Sequence, residues 1–253
     1  MKPDIKDKEI RKLFVLRNKE FFNKGVFLNE YNIGHRNRAD LGCYKDGFLF
    51  GFEIKSCKDN TKRLPKQMLA YNKFFDFIYV VVFENHIEGT TIILNKLKLD
   101  HVGIIKVSFD KKIEFENIKE ATLNPNVNKI TLLGNLWRCD LMYLMDNYKM
   151  KYKNYSGRGE PYTNKHNMVR RLFKSADLSE IKKTVGHRIE KTYGDTKCIK
   201  CRSNLTFNTS SRDIIQEDIK NKILYSKKTT YRECFECGHQ FDFEEGLVEK
   251  KKF

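Results

Sequence analysis

The chain has 253 residues, 40% of them hydrophobic, and is therefore long enough to bury a core in one large domain or two smaller ones. Its net charge of +16, from 49 Lys and Arg against 33 Asp and Glu, favours a polyanionic partner, nucleic acid before a membrane. We find no apolar run of bilayer length, no signal peptide and no heptad array, so we expect a soluble, cytoplasmic protein that does not enter a membrane.

The first elements are an amphipathic helix and a strand. Apolar residues recur on one face over residues 4–24, and Gly25 is placed to end that helix. A strand is predicted over residues 26–32. A short basic turn follows, in which Arg36 and Arg38 either contact a DNA phosphate or belong to a solvated loop.

The next stretch predicts a β-hairpin. Apolar runs over residues 39–44 and 48–56 flank Lys45-Asp46-Gly47, and Asp-Gly between two such runs is a strong hairpin signal. Asp40 falls on the first strand. Glu53 and Lys55 fall on the second, on one face, because residues two apart in a strand point the same way.

These charged residues suggest chemistry. Buried carboxylates and a buried ammonium are unfavourable unless they are paired or used. Carboxylate oxygens suit Mg²⁺, and a lysine can position water on a phosphodiester. A Glu-x-Lys pair alone is more often a surface salt bridge, but Asp40 on the preceding strand and the apolar neighbours of Glu53 and Lys55 favour a site.

Asp40, twelve intervening residues and then Glu53-Ile54-Lys55 resemble the core of the PD-(D/E)xK nuclease superfamily. The wider run over residues 39–82 resembles the sce7726 family of that superfamily, and the likeness extends over about the first 110 residues. It implies a restriction-endonuclease-like mixed sheet flanked by helices and Mg²⁺-dependent cleavage of phosphodiesters. The first acidic motif lacks the usual proline and reads Ala39-Asp40.

The resemblance also implies roles for residues. Asp40, Glu53 and the carbonyl of Ile54 would hold one or two Mg²⁺ or Mn²⁺ ions, and Lys55 would orient the attacking water. Glu30 is a candidate third carboxylate, with an exposed strand glutamate as the alternative interpretation.

A helix is predicted over residues 62–75, with Pro65 in its first turn, where a missing N–H is tolerated. Cations cluster at its amino-terminal end, where anions bind well. The residues expected to contact DNA there are Lys62, Arg63 and Lys66. The resemblance adds Gln67 as an accessory catalytic residue and Tyr71 as an accessory residue on the DNA side, although a tyrosine on an apolar face is more often part of a core.

Two further strands, over residues 77–83 and 101–107, complete a nuclease domain at residues 1–120. The first is a continuous apolar run and is therefore expected to be buried on both faces. A helical subdomain follows at residues 121–192. It would comprise one helix over residues 129–148, with Trp137 in the core, and a helix pair that resembles a helix-turn-helix only loosely.

The two helices of that pair are predicted over residues 163–174 and from Asp177 onward, where Asp177 and Glu180 would form a capping box. The loop at residues 149–160 carries lysines and tyrosines, and it either tracks a phosphate backbone or serves as a linker.

The last segment, residues 193–253, predicts a small Cys₄ zinc ribbon. Cys198-x-x-Cys201 and Cys234-x-x-Cys237 have the spacing of two zinc knuckles, and Gly238 permits a tight turn. The 32 residues between the pairs imply an insertion, for which the helical-looking residues 211–224 are a candidate. Four thiolates close the site, so this Zn²⁺ would be structural, and the three remaining cysteines fit a reducing compartment.

We therefore expect a metal-dependent deoxyribonuclease, an endonuclease of restriction, phage defence or repair. The alternatives are a non-catalytic DNA-binding module that uses the basic groove and the ribbon, and a protein-interaction scaffold. Turnover of DNA with Mg²⁺ separates these classes. Endonuclease and exonuclease action both stay open, and cutting of both strands would need a homodimer or two successive nicks.

Overall fold

The structure is a computed structural model that describes residues 5–34, 37–152, 163–194, 200, 205–218, 223–234 and 236–252. The helices are α1 (Asp7–Arg17), α2 (Lys19–Asn23), α3 (Leu64–Tyr71), α4 (Ile87–Lys96), α5 (Lys129–Asn135), α6 (Arg138–Asn147), α7 (Lys165–Ser175) and α8 (Leu178–Ile189). The strands are β1 (Val26–Asn32), β2 (Arg38–Lys45), β3 (Phe48–Lys55), β4 (Phe77–Phe83), β5 (Gly103–Phe109), β6 (Ile113–Lys119), β7 (Thr206–Asp218), β8 (Ile223–Cys234) and β9 (Gln240–Lys252).

The first six strands form one mixed sheet in the order β1-β2-β3-β4-β5-β6. The β3–β4 and β4–β5 pairs are parallel, and the other three pairs are antiparallel. The parallel pairs need crossover connections, which contain α3 and α4 respectively. The expectation of a mixed sheet flanked by helices is thus confirmed.

The predicted hairpin is formed by β2 and β3, and its register is that of a two-residue turn. Lys45 pairs with Phe48, so Asp46 and Gly47 form a two-residue turn, with φ of 52° and 83°. Positive φ at both positions belongs to the mirror-image turn whose twist matches that of the flanking strands. The ladder then runs back to the pair Leu41–Phe52.

Helices cover both faces of this sheet. Alternate residues of β4 point to opposite sides of the sheet. Val80 lies in a first core, between the sheet and helices α3 and α5–α8. Val81 lies in a second core, between the sheet and helices α1 and α2. The prediction that this strand is buried on both faces is confirmed. Aromatic side chains dominate the second core, where Phe14, Phe22 and Phe52 lie in mutual ring contact.

An ion pair between the buried carboxylate of Asp76 and Lys182 connects helix α8 to the sheet. Asp76 accepts a hydrogen bond from the backbone N–H of Leu49 at 2.9 Å. Its carboxylate also forms an ion pair with Lys182 of α8. Nearby, Gly186 of α8 approaches Tyr44 so closely that a Cβ there would lie 2.1 Å from the tyrosine hydroxyl oxygen. Only glycine allows this contact between α8 and β2.

Several elements differ from the sequence prediction. The helix over residues 4–24 breaks at Asn18, whose side-chain amide donates to the carbonyl of Phe14 at 2.8 Å. The helix over 62–75 begins as a 3₁₀ turn and ends at Tyr71. The helix over 129–148 is two helices, separated at Leu136 and Trp137. Helix α4 and strand β6 were not predicted, because their lysine-rich surroundings obscure the apolar pattern.

Two local predictions in the helical region are wrong. Trp137 lies on the surface, 60% exposed, instead of in the core. Asp177 precedes α8 but makes no side-chain cap bond, and its backbone N–H donates to the hydroxyl of Tyr148 at 3.0 Å. Glu180 pairs with Lys183, so the predicted capping box is absent from this described helix start.

The last three strands form a separate antiparallel sheet in the order β7-β8-β9. The residues described within 211–224 lie in β7 and β8, so the predicted helical insertion is wrong there. Cys234 is buried at the end of β8, and Gly238, with φ of 68°, donates its N–H to the carbonyl of Cys234 at 2.8 Å. Cys198 and Cys201 lie outside the described residues.

No helix in the described part of the chain is both long enough and apolar enough to cross a bilayer.

Candidate active site

The candidate site lies at one end of the six-stranded sheet. The end of β1, the beginning of β2 and the end of β3 meet there because the three strands are antiparallel neighbours. The residues that these ends carry are Glu30, Asp40, Glu53 and Lys55. We call them, together with Asp7 and Arg11 of α1, the carboxylate cluster.

A tyrosine from α3 holds β2 and β3 at this end. Beyond the pair Leu41–Phe52, the hydroxyl of Tyr71 accepts the backbone N–H of Asp40 at 3.1 Å and donates to the carbonyl of Phe52 at 3.3 Å. Tyr71 is buried, as the alternative interpretation of a core tyrosine has it, so the expectation that it contacts DNA is wrong. It also lies at the site, because its hydroxyl bonds the residue that bears the first carboxylate.

Asp40 is tethered to the neighbouring strand. Its Oδ2 accepts the backbone N–H of Ile54 at 2.8 Å, which fixes the carboxylate beside Glu53. Glu53 is 0% exposed and Lys55 only 6%, and the Lys55 ammonium forms an ion pair with Glu53 Oε1. The second oxygen, Glu53 Oε2, is buried without a hydrogen-bond partner of good geometry among the described residues, although the Tyr71 hydroxyl also acts on this carboxyl and partly offsets the rise in its pKa that burial causes. Such an oxygen is unfavourable unless another cation or donor reaches it.

The guanidinium of Arg11 forms ion pairs with three carboxylates of the cluster. It lies 2.8 Å from Asp7 Oδ2, 3.2 Å from Glu30 Oε1 and 3.4 Å from Asp40 Oδ1. Arg11 is 8% exposed, which is low for an arginine and is explained by these three ion pairs. Asp7 and Arg11 are four residues apart on α1 and therefore on one face of it.

Glu30 owes its position to an unusual backbone conformation. Its φ is +49°, in the left-handed region that residues other than glycine rarely adopt. In a regular strand, side chains three residues apart point to opposite faces. The left-handed residue Glu30 reverses this alternation, so Leu28 and Tyr31 both pack against the same core. The carboxylate of Glu30 binds Arg11 on one side and the exposed Arg38 on the other, at 3.2 Å in each case.

The electrostatics of the cluster are dominated by burial. Burial, and then repulsion from Glu53, raises the pKa of Asp40 to about 6. Burial likewise raises the pKa of Glu53 and the pKa of Asp7, and the attraction of Lys55 and Arg11 offsets this only in part. The same carboxylates, after burial, keep the pKa of Tyr71 well above its usual value, so its hydroxyl stays protonated. Four carboxylates thus share two buried cations, Arg11 and Lys55.

The carboxylate oxygens of the cluster are ligands of the kind that hard cations prefer, but a guanidinium holds them in their present arrangement. Within the described residues, no group of three or more His, Cys, Asp or Glu side chains is arranged to hold a metal ion. Arg11 lies against Asp40 instead. The donors themselves fit a hard cation, since they are carboxylate and amide oxygens. The buried oxygens without a hydrogen-bond partner in the described structure include Glu53 Oε2, Asp7 Oδ1 and Gln67 Oε1.

The residues of α3 expected at the site divide into two groups. Gln67 is half-buried, one helical turn before Tyr71 and on the same face. The three cations at the amino-terminal end, Lys62, Arg63 and Lys66, are exposed to solvent. Arg36 lies outside the described residues.

Sequence reasoning missed Asp7 and Arg11. It considered only the apolar face of the first helix, since no motif includes these two positions. The spacing does predict that Asp7 and Arg11 pair with each other, because an Asp four residues before an Arg stabilises a helix. Nothing in that pair, however, indicates that it faces the end of a sheet formed about 30 residues later, at Asp40.

Comparison with known proteins gives the family. The family model described as bacteriophage P4 protein cII matches residues 3–222, which include the whole carboxylate cluster. The chain belongs to the bacteriophage P4 protein cII family. Protein cII of Enterobacteria phage P4 is 25% identical over 154 residues, covering 59% of this chain and 56% of that protein. The matched region thus spans just over half the length of this curated relative.

Two solved structures show weak similarity. One is SPO1766 of Silicibacter pomeroyi, described as a protein of unknown function, with 13% identity and a TM-score of 0.35 over 62% of this chain and 100% of that one. The other is Pyrococcus furiosus SfsA in complex with Ca²⁺, with 12% identity and a TM-score of 0.27 over 45% of this chain and 60% of that one. Scores this low carry no argument about function.

Proposed function

We propose that this protein is a Mg²⁺-dependent DNA nuclease of the PD-(D/E)xK superfamily, similar to the sce7726 family. One observation carries the proposal: Asp40, Glu53 and Lys55 converge at one end of the sheet, with Glu53 fully buried and one of its oxygens unpaired within the described structure. A buried carboxylate at a strand end is unfavourable in a purely structural role.

The proposed roles follow from the positions of the residues. Asp40 and Glu53, with the carbonyl of Ile54, would bind the metal, which when bound supplies charge stabilisation at the phosphate and lowers the pKa of the attacking water. Lys55 would orient that water, and its ion pair with Glu53 keeps its ammonium at the ligand carboxylate. Tyr71 would keep the strands of Asp40 and Glu53 in place through its two backbone hydrogen bonds.

Metal binding would require a change at Arg11. Its guanidinium must leave Asp40, from which it is 3.4 Å away, but it can keep the shorter 2.8 Å pair with Asp7 on its own helix. A guanidinium released at this position could bind a phosphate of the substrate, because Arg forms bidentate hydrogen bonds with phosphate oxygens. Glu30 would then be paired with Arg38 alone or would take part in binding a second ion.

The DNA would approach over the exposed cations near the cluster. Lys62 and Arg63 are exposed in the 3₁₀ turn before α3, Lys66 is exposed in the first turn of α3, and Arg38 is exposed at the start of β2. Positions of this kind bind phosphate oxygens and fix the register of DNA without reading its sequence. The net charge of +16 supports the same partner.

The test is cleavage of supercoiled circular and linear DNA in Mg²⁺, in Mn²⁺ and in EDTA. We expect metal-dependent nicking or linearisation of circles, which identifies an endonuclease. Glu53→Ala and Lys55→Ala should abolish it while leaving the fold intact. The matched control is Glu114→Ala, which removes the carboxylate of the exposed pair Lys112–Glu114, also two residues apart, and should cleave normally. Full cleavage by both active-site variants would refute this site.

A non-catalytic DNA-binding module is the second candidate, and the position of Arg11 favours it. A guanidinium that permanently neutralises Asp40 would leave no room for a metal ligand set. In that case the protein would shift DNA in a gel in a salt-dependent manner, with and without EDTA, and would not cleave it.

We also propose a structural Zn²⁺ bound by Cys198, Cys201, Cys234 and Cys237. The support is the local geometry of the second pair, where Gly238 closes a tight turn onto the carbonyl of Cys234 and Cys234 donates its N–H to the carbonyl of His239 at 3.0 Å. Elemental analysis should find one zinc per chain, as expected for a Cys₄ site. Cys237→Ser should lower that content, and an unchanged zinc content would contradict the assignment.

A further inference from the structure

The surface position of Trp137 is unexplained by the proposed catalytic residues. It is the sole tryptophan of the chain, and it is 60% exposed between α5 and α6. The guanidinium carbon of Arg188 lies 3.1 Å from the centroid of its indole ring, so one face of the ring is stacked on a cation. Because so much of the residue is exposed, the opposite face is available to a flat ligand.

Trp137 is held next to the end of β1 that carries Glu30. Asn135, two residues earlier, donates its amide to the carbonyl of Asn32 at 2.6 Å and accepts the hydroxyl of Tyr31 at 2.9 Å. Tyr31 and Asn32 are the two residues that follow Glu30 in β1. The segment that carries Trp137 therefore packs against the part of β1 that follows Glu30.

The surroundings of the ring are basic. Arg138 follows Trp137 directly, with its guanidinium donating to the carbonyl of Thr163, and the exposed Lys165 donates to the carbonyl of Gly134 at 2.8 Å. Arg188 lies beneath the ring, where its charge is partly balanced by Asp140 at 3.7 Å. An exposed indole with cations around it is suited to nucleic acid, because the cations attract the phosphates while the ring stacks on a base.

We propose that Trp137 is a base-stacking platform for single-stranded DNA beside the carboxylate cluster. The choice of DNA rests on the proposed nuclease function, which this inference extends to the form of the substrate. A base inside a duplex already has both faces stacked, so away from duplex ends only an unpaired base can present a face to Trp137. The protein would thus act at single strands, at frayed ends or at locally opened duplex.

The experiment uses the intrinsic fluorescence of this single tryptophan. The full-length protein is titrated with oligo(dT) and with a blunt duplex of the same length, both in EDTA so that no cleavage occurs. We expect oligo(dT) to quench the fluorescence and the duplex to leave it nearly unchanged. Absence of quenching by bound oligo(dT), or equal quenching by the duplex, would overturn the proposal.

Variants give a second, independent readout by the fluorescence anisotropy of a labelled oligo(dT). Trp137→Ala should weaken binding by about 5- to 100-fold, the range expected for loss of one base–aromatic stack, whereas Trp137→Phe should retain most of it. Tyr143→Ala is the matched control, because Tyr143 is an aromatic residue of α6 with the same 60% exposure. Equal losses in Trp137→Ala and Tyr143→Ala would refute a specific platform.

This result is separable from the nuclease proposal. Glu53→Ala should abolish cleavage yet keep the quenching by oligo(dT). If the wild-type protein fails to cleave DNA but is still quenched selectively by oligo(dT), the stacking platform stands and the nuclease proposal falls.

Discussion

Replacement of Asp40 by Asn is expected to stabilise the metal-free protein at neutral pH. The pKa of Asp40 is raised from 3.8 to about 6, chiefly by burial. A shift of that size makes the ionised form about 3 kcal/mol less favourable in the folded state than in the unfolded state. Asparagine has nearly the same shape, and its oxygen can still accept the N–H of Ile54. Since Arg11 loses one of its partners, we expect a net gain of about 1–3 kcal/mol.

The effect must depend on pH with a definite sign. Between about pH 4 and pH 6 the folded protein binds more protons at Asp40 than the unfolded chain does, so the stability of the wild type falls as the pH rises through this window. The advantage of Asp40→Asn should therefore be about 2 kcal/mol smaller near pH 4.5 than above about pH 6.5, where it reaches its full size. Urea unfolding in EDTA, followed by circular dichroism at several pH values, measures it.

Two comparisons make the result decisive. Glu114→Gln removes an exposed carboxylate on β6 and should leave the stability unchanged within about 0.5 kcal/mol at each pH. Mg²⁺ should stabilise the wild type and not Asp40→Asn. A uniform loss of stability in Asp40→Asn across the pH range would refute the reasoning, because it would show that the ionised carboxylate anchors the fold.

Three other substitutions test the structure around the site. Arg11→Met should lower stability by about 1–3 kcal/mol in EDTA, since it leaves three carboxylates without their shared cation, and should tighten Mg²⁺ binding measured by calorimetry. Unchanged metal affinity would contradict a competing guanidinium. Tyr71→Phe should cost about 1–3 kcal/mol in urea unfolding, because it leaves the Asp40 N–H without its acceptor. Gly186→Ala should lower the melting temperature because its Cβ would meet Tyr44, whereas Gly134→Ala, with nothing within 4 Å, should not.

The parts of the fold that were predicted correctly are those specified by local pattern. Strands β1 and β4 have the predicted bounds, and the hairpin turn follows from Asp46-Gly47, because both residues tolerate the positive φ that the turn needs. Local pattern was insufficient where a helix breaks without glycine or proline. Asn18 and Trp137 interrupt helices whose apolar periodicity continues through the break, so packing decides those ends.

The sequence by itself determined which residues of the hairpin could share a site. Asp40, Glu53 and Lys55 are related by a short turn and a period of two, and these local constraints bring them together. Only the tertiary structure decided what surrounds them. Arg11 reaches Asp40 across 29 positions of the chain, and Asn135, two residues before Trp137, forms hydrogen bonds with Tyr31 and Asn32 across more than 100. Such contacts depend on how α1 and α5 pack on the sheet, and no periodicity within either helix encodes them.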